Sequence, residues 1–297
     1  MEPKKRIHHH TTPMEGDDNI TNKKGSEILE ETVKEVKNHL DVAEVRVERA
    51  VVGIFFTGVR LNTGHAGICA TPIKEIPEAV CCPSSARSMP NAGRLTRRSV
   101  PKYLDDALSP VPMKRTMGVA VLSALSSYCW EQGLVEGFDM KVGVDAIDCM
   151  ELDDKSHPVV IGAIAPVLRI LKARRKPFSV VELDKRTLKR DELPFYAPPE
   201  RTQEVVPDAD LLVVTGTTLL NGTLEGILEL ARHDAQVLVM GPSASLLPSA
   251  FFKRGVDVLG GDIITQPNRM LDTLAEGGSG YHIYGDSAER VVVTPQG

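Results

Sequence analysis

The first third of the chain carries two different rhythms of hydrophobic and polar positions. From Ser26 onward, apolar residues recur at spacings of four, three and four among charged residues. This spacing predicts one amphipathic helix, with Ser26 as its N-cap and an end near His39. The apolar positions are Leu29, Val33, Val36 and Leu40. Alternating valines at 45 and 47 and the β-branched and aromatic residues of 51–61 then predict two antiparallel strands, with a third near 67–70.

The next segment, residues 71–115, has little periodicity and carries seven prolines, so we expect a long loop. Four arginines at 87, 94, 97 and 98 would suit a mobile cover that brings positive charge to an anionic ligand, or an ordinary solvated loop. Residues 117–130 then form an apolar pattern that predicts a buried helix. Together these elements predict a small α+β domain over residues 26–135.

The second half of the chain repeats short apolar runs, each followed by a turn and usually by a helix pattern. The runs lie at 159–161, 179–182, 211–215, 237–240 and 256–259. Because they lack polar alternation, they are typical of strands covered on both faces, as in a parallel sheet. Repeated β–α units of this kind predict a doubly wound domain over residues 150–297. Pro166 fits the start of the helix after the first run.

Composition and charge exclude several classes of protein. Hydrophobic residues make up 42% and charged residues 25% of the 297 residues, the balance of an ordinary globular chain of about two domains. A net charge of −5 argues against nucleic acid as the main partner. No apolar run approaches the ~20 residues of a membrane helix. Residues 1–25 are expected to be a disordered arm without a secretory signal, in which His8–His10 would bind metal only adventitiously. We expect a cytoplasmic protein.

The ends of the first two predicted strands carry few of the residues that a dinucleotide site requires. Of the G-x-G-x-x-G fingerprint only Gly162 is present. Glu182 and Asp184 follow the second strand, 20 and 22 residues after Gly162, where a ribose-binding acid would lie. These carboxylates therefore either contact a nucleotide or simply end a strand in solvent.

The third predicted strand ends in a dense group of hydroxyl, amide and glycine residues. The group comprises Thr215, Gly216, Thr217, Thr218, Asn221 and Thr223. Exposed N–H groups, hydroxyls and a helix N-terminus would suit a carboxylate, a phosphate or another anion. The alternative is an elaborate helix cap. We favour a ligand cradle because the hydroxyls exceed what one cap needs.

Small residues also follow the fourth and fifth strands and leave room for a ligand. Gly241, Pro242 and Ser243 follow the fourth, and the sequence Gly-Gly-Asp at 260–262 follows the fifth. No G-x-S-x-G elbow occurs, so a hydrolase triad is not indicated. The predicted ligand-binding residues are Gly162, Pro166, Glu182, Asp184, Thr215, Gly216, Thr217, Thr218, Asn221, Thr223, Gly241, Pro242 and Ser243.

These motifs resemble those of a known family. The sequence DADLLVVTGTTLLNGTLE at 208–225, followed by VLVMGPSAS at 237–245 and GVDVLGG at 255–261, resembles the heavy-metal-chelation family over roughly 155–293. VGIFFTGV at 52–59 and HAGICA at 65–70 resemble, more loosely, the partner domain of that family, which is similar to the N-terminal domain of enolases. Enolase chemistry does not follow, because no enolase barrel is present.

The resemblance implies an enolase-N-like domain packed on a Rossmann-like domain, with a site in the cleft between them. It implies the binding or handling of a metal ion or metal chelate, with a transition metal as the cofactor. No HxxxH or CxxC spacing identifies the ligands. The candidate metal ligands are Glu182 and Asp184 from one domain and His65 and Cys69 from the other.

Two further functions stay open. The chain could be an enzyme that acts on a small anionic metabolite or a nucleotide-like ligand at the strand ends, with Glu182 or His65 as general base. It could also be a scaffold, which would leave the polar strand ends unexplained. The expected partner is a small anionic ligand or a metal chelate, not nucleic acid or a membrane, and a homo-oligomer is compatible with the sequence.

Overall fold

A computed structural model describes residues 26–75 and 91–297. The predicted arm at 1–25 and residues 76–90 of the predicted cover, including the arginine at 87, lie outside the described residues.

The N-terminal half begins with a helix and a small antiparallel sheet. Helix α1 (Glu27–His39) starts where predicted, because the Ser26 Oγ accepts a hydrogen bond from the Leu29 N–H at 3.2 Å. Three strands follow in the described chain, paired in the order β1-β2-β3. They are β1 (Val47–Val52), β2 (Phe56–Leu61) and β3 (Ala66–Ala70). The apolar run 51–61 is therefore broken by a turn at Gly53, whose N–H donates to the Phe56 carbonyl.

Two helices complete this half. The first corrects the prediction of a loop over 71–115, and the second contains the buried helix predicted at 117–130 but begins at Pro112. Helix α2 (Val100–Ala107) packs on helix α3 (Pro112–Glu131), which is buried along most of its length. The Arg98 guanidinium donates to the Asp106 carboxylate at 2.7 Å, so this arginine is engaged within its own segment. Proline misled the prediction because it is well tolerated in the first turn of a helix, where it lies in α2.

The second half contributes most of a larger sheet. In the described chain this sheet has eight strands, in the order β4-β11-β10-β9-β8-β5-β6-β7. The strands are β4 (Phe138–Val142), β5 (Pro158–Ile161), β6 (Ser179–Val181), β7 (Tyr196–Ala197), β8 (Leu211–Thr215), β9 (Gln236–Met240), β10 (Val258–Ile264) and β11 (Ala288–Pro295). Strands β5 to β10 are parallel, and β11 runs antiparallel between β10 and β4. The strand order reverses direction between β5 and β8.

Residues along the central strands alternate between two hydrophobic cores. In β8, Leu212 and Val214 belong to one core, and Leu211 and Val213 belong to the other. The first core also contains residues of α1 and α3, so the N-terminal half covers one face of the sheet. Helix α4 (Ala165–Ala173) covers the other face. A parallel-dominated sheet covered on both faces is thus confirmed.

The remaining α-helices of the described chain have four to nine residues. They are α5 (Thr202–Val205), α6 (Thr218–Asn221), α7 (Leu224–Leu230), α8 (Ser249–Phe252), α9 (Pro267–Ala275) and α10 (Gly280–Ile283). Within residues 26–75 and 91–297, no helix is both long enough and apolar enough to cross a membrane.

Candidate functional site

A cavity of about 700 Å³ opens at the carboxyl ends of β5, β6 and β8, where the strand order reverses. Crevices form at such reversals because the connections from the two neighbouring strands leave the sheet in opposite directions. We call this cavity the edge pocket. Its lining residues are Ile161, Gly162, Val181, Glu182, Leu183, Pro199, Glu200, Thr202, Gln203, Thr215, Thr217, Thr218, Asn221, Gly222, Thr223, Gly226, Ile227 and Leu230.

The threonines of the edge pocket have unequal freedom to bind a ligand. Thr217 is exposed, and its hydroxyl contacts only the Thr215 hydroxyl, at 3.2 Å, among the hydrogen bonds of the described residues. Thr218 is buried and donates to the Thr215 carbonyl at 2.7 Å. Asn221 Oδ1 accepts from the Thr223 N–H and hydroxyl, at 3.2 and 2.7 Å. The group thus combines local capping by Asn221 with an open hydroxyl at Thr217.

Glu182 ties the loops after β5 and β6 together. Its Oε2 accepts from the Ala163 N–H at 2.8 Å, and its Oε1 accepts from the Asp184 N–H at 3.0 Å. Gly162 lies beside these loops with a φ of 96°, and a Cβ there would come within 2.7 Å of Thr215 Cγ2. The wall between β5 and β8 therefore depends on glycine at this position.

Asp184 lies outside the lining of the edge pocket and forms ion pairs. Arg186 and Lys74 both donate to its carboxylate, Lys74 at 2.7 Å. These hydrogen bonds hold the pKa of Asp184 well below its usual range. Because Lys74 follows β3, the carboxylate links the two halves of the molecule.

Several of the predicted residues pack between elements instead of lining the pocket. Ser243 is buried and accepts hydrogen bonds from the Ala70 N–H at 3.1 Å and from the Cys69 thiol at 3.6 Å. A Cβ on Gly216 would lie 2.8 Å from the backbone nitrogen of Ala244. Outside the pocket lining are Pro166, Asp184, Gly216, Gly241, Pro242 and Ser243.

The two candidate metal ligands of the N-terminal half are engaged elsewhere. His65 Nε2 lies 3.0 Å from a Glu131 carboxylate oxygen, and its ring packs against Tyr128. Burial raises the pKa of the Cys69 thiol to about 12, so it stays protonated. No group of three His, Cys, Asp or Glu side chains that could hold a metal occurs in the described residues. These residues therefore do not fit a metal ion held by side chains alone.

Sequence reasoning missed the wall formed by Pro199, Glu200, Thr202 and Gln203. This segment reaches the sheet edge through β7, which has only two residues. No apolar run signals so short a strand. With this wall in place, Glu182 and Glu200 are the charged residues among the described lining, and neither lysine nor arginine is present there.

The fold and the pocket define a two-sheet α/β protein with a pocket of mixed polar and apolar lining at the carboxyl ends of its parallel strands. The chain belongs to the family described as "Putative heavy-metal chelation" (DUF364), whose model matches residues 145–293. A second model of the same description (DUF4213) matches residues 33–126.

One relative is similar in sequence over part of the chain. An uncharacterized protein of Methanocaldococcus jannaschii is 27% identical over 176 residues, which are 59% of this chain and 64% of that protein. The match thus spans less than two thirds of the relative's length.

Two crystal structures of DUF364 family proteins with unknown function share the fold. The Pyrococcus horikoshii structure has a TM-score of 0.70 at 21% identity, and the Desulfitobacterium hafniense structure has 0.67 at 16%. Each comparison covers 90% of this chain and 98% of the other. The finer Rossmann-like and enolase-N-like expectations stay predictions.

Proposed function

We propose that this protein binds a metal that is already held by a small organic chelator, and that the edge pocket is the binding site. The observation that carries the proposal is a pocket of about 700 Å³ whose lining combines hydroxyls, amides and two carboxylates with aliphatic side chains. The proposal that the ligand contains a metal rests on the family description. The lack of a three-residue metal cluster in the described chain favours a metal that brings most of its own ligands.

The chemistry of the lining suits a metal chelate. Cavities of about 300–1,000 Å³ accommodate small organic molecules. Threonine hydroxyls and side-chain amides both donate and accept hydrogen bonds, so they match the mixed donors and acceptors of a chelate. Glu182 and Glu200 favour a neutral or positively charged complex over a free anion. Helix α6, with four residues, is too short to offset them with a substantial dipole.

This lining gives less support to the alternative of an enzyme acting on a small anionic metabolite or a nucleotide-like ligand. Among the described lining residues, neither lysine nor arginine offers a positive charge to an anion. Both oxygens of Glu182, one candidate base, already accept backbone hydrogen bonds. His65, the other candidate base, lies against Glu131.

The test uses the full chain with His8, His9 and His10 replaced by alanine, because that triplet would bind metal nonspecifically. Calorimetry compares the neutral bis-histidine complexes of nickel, cobalt, zinc and copper with the same metals as aqua ions and with histidine alone. We expect at least one complex to bind with one-to-one stoichiometry, and its separate components at least tenfold more weakly. Aqua ions that bind as tightly as the complexes, or a panel that does not bind at all, would contradict the proposal.

A blocking variant locates the site. Gly226 lines the edge pocket from α7, and a Cβ there meets no atom within 4 Å. Gly226→Leu should therefore fill part of the pocket and abolish binding without disturbing the fold. Glu229→Leu, on an exposed position of the same helix outside the lining, is the matched control and should bind normally.

A further inference from the structure

A carboxyl with one buried oxygen lies beside two small cavities that are separate from the edge pocket. Asp262 in β10 contributes to both cavities, which have volumes of about 30 and 40 Å³. Its backbone N–H donates to the Ser245 hydroxyl at 2.8 Å. Its Oδ2 is buried and has no hydrogen-bond partner among the described residues. A buried carboxylate oxygen without a partner is costly, so the protonation of this group matters.

Charged and titratable groups face Asp262 from three neighbouring segments. Arg290 lies directly opposite it on β11, in the antiparallel register. Tyr284 follows α10, and Asp145 precedes the turn Ala146–Cys149. Burial raises the pKa of the Asp262 carboxyl to about 7, while hydrogen bonding to Tyr284 and the charge of Arg290 act in the opposite direction.

The Arg290 guanidinium makes two contacts with neighbours of Asp262. Its guanidinium carbon lies 4.4 Å from the centre of the Tyr284 ring, and its Nε lies 3.6 Å from Asp145 Oδ2. Asp145 also accepts a hydrogen bond from the Ile147 N–H at 3.3 Å and thereby caps the turn Ala146–Cys149. Arg290 therefore lies near two carboxyls. It contacts that of Asp145, whereas Asp262 lies opposite it on the neighbouring strand.

We propose that Asp145 and Asp262 compete for Arg290, and that this competition makes the connector between β4 and β5 a proton-dependent switch. While Asp262 is protonated, Arg290 stays at Asp145 and the turn Ala146–Cys149 keeps its cap. When Asp262 releases its proton to solvent, its carboxylate draws Arg290 from Asp145 and loosens that turn. The connector leads into β5, whose carboxyl end lines the edge pocket, so the switch acts on the site from a distance.

The first measurement follows the ionisation of Asp262 and the conformation of the turn Ala146–Cys149 in the same pH titration. Trp130 is the only tryptophan of the chain and lines the 30 Å³ cavity with Asp262, so its fluorescence reports on the ionisation. Carboxyl ¹³C NMR of aspartate-labelled protein gives the midpoint of Asp262, and the Ile147 amide signal reports on the turn. We expect all three signals to titrate together near pH 7.

Three variants separate the switch from a passive buried acid. Asp262→Asn should abolish all three transitions. Asp145→Asn should lower the Asp262 midpoint, because it frees Arg290 and removes a negative charge, and Arg290→Gln should raise it. Asp139→Asn, on the exposed side of β4, is the control and should leave the midpoint unchanged. An Asp262 midpoint below pH 5, or an Ile147 signal that does not follow Asp262, would overturn the proposal.

Discussion

Thr217 and Thr218 are neighbours with the same side chain and different surroundings. Thr217→Val removes an exposed hydroxyl of the edge pocket. We expect it to weaken chelate binding by ~0.5–1.5 kcal/mol, or up to about tenfold, with an unchanged melting temperature. Thr218→Val removes a buried hydrogen bond to the Thr215 carbonyl and should cost ~1 kcal/mol of stability. Calorimetry and thermal melts on both variants test the pair; a loss of stability without a loss of affinity in Thr217→Val would refute a binding role.

The buried carboxyl of Asp262 also predicts how stability depends on pH. Burial raises the pKa of the Asp262 carboxyl from its ordinary value of 3.8 to about 7, so folding favours the protonated form. Its contribution to the free energy of unfolding is fully present below about pH 4 and is lost as the pH rises through 7. Relative to Asp262→Asn, the wild type should lose up to about 4 kcal/mol over this range. Urea titrations at pH 4.5, 6 and 8 measure the difference, and a constant difference would contradict the prediction.

Single residues also show which features of the site can be predicted from the sequence and which cannot. The polar strand end at 215–223 could be found because hydroxyls are concentrated there beyond the needs of a cap. The surroundings of Cys69 could not be found, because its burial against Ser243 depends on how the two halves pack. A residue type indicates which chemistry is available, whereas burial and partners decide whether that chemistry is used.

At the scale of elements, two helical glycines should respond oppositely to the same change. A Cβ on Gly118 in α3 would overlap backbone atoms of Ala107 in α2, whereas a Cβ on Gly226 in α7 meets open space. Gly118→Ala should therefore destabilise the protein by ~1–3 kcal/mol through overpacking. Gly226→Ala should stabilise it by up to ~1 kcal/mol through helix propensity. Chemical denaturation measures the change in the free energy of unfolding for both variants. An equal change in the two helices would show that the close contact of α2 and α3 does not determine the effect of the added Cβ.

The elements that could be predicted are those with strong, uninterrupted patterns. Parallel strands form at all five predicted apolar runs, and β10 extends to Ile264. The runs are 159–161, 179–182, 211–215, 237–240 and 256–259. Strands β4, β7 and β11 were not predicted. Strand β4 is half exposed with charged residues, and β7 has two residues. Such strands are specified by their partners in the sheet more than by their own sequence.

At the scale of the whole molecule, the two halves share one hydrophobic core. Residues of α1 and α3 pack in the same cluster as residues of β5, β8 and β9. Ion pairs reinforce this contact, since Arg254 donates to Glu31 in α1 at 2.7 Å. We therefore expect both halves to unfold in one transition.

Hydrogen exchange during urea denaturation tests this expectation, with peptides from 26–61 and 211–240 as separate probes. Coincident midpoints are the expected result. Two separated midpoints would contradict the shared core and would instead support independent domains at 26–135 and 150–297, a division that stays a prediction.

The position of β11 has a consequence for the synthesis of the chain. Strand β11 lies between β4 and β10, yet it follows β4 by about 150 residues. During synthesis on the ribosome, β4 emerges early and stays unpaired until β11 has been translated. Strand β10 likewise keeps an unpaired edge until residues 288–295 are present. Unpaired strand edges favour aggregation. A nascent chain that stalls before residue 288 should therefore depend on chaperones, and that dependence should end when translation supplies the last strand of the sheet.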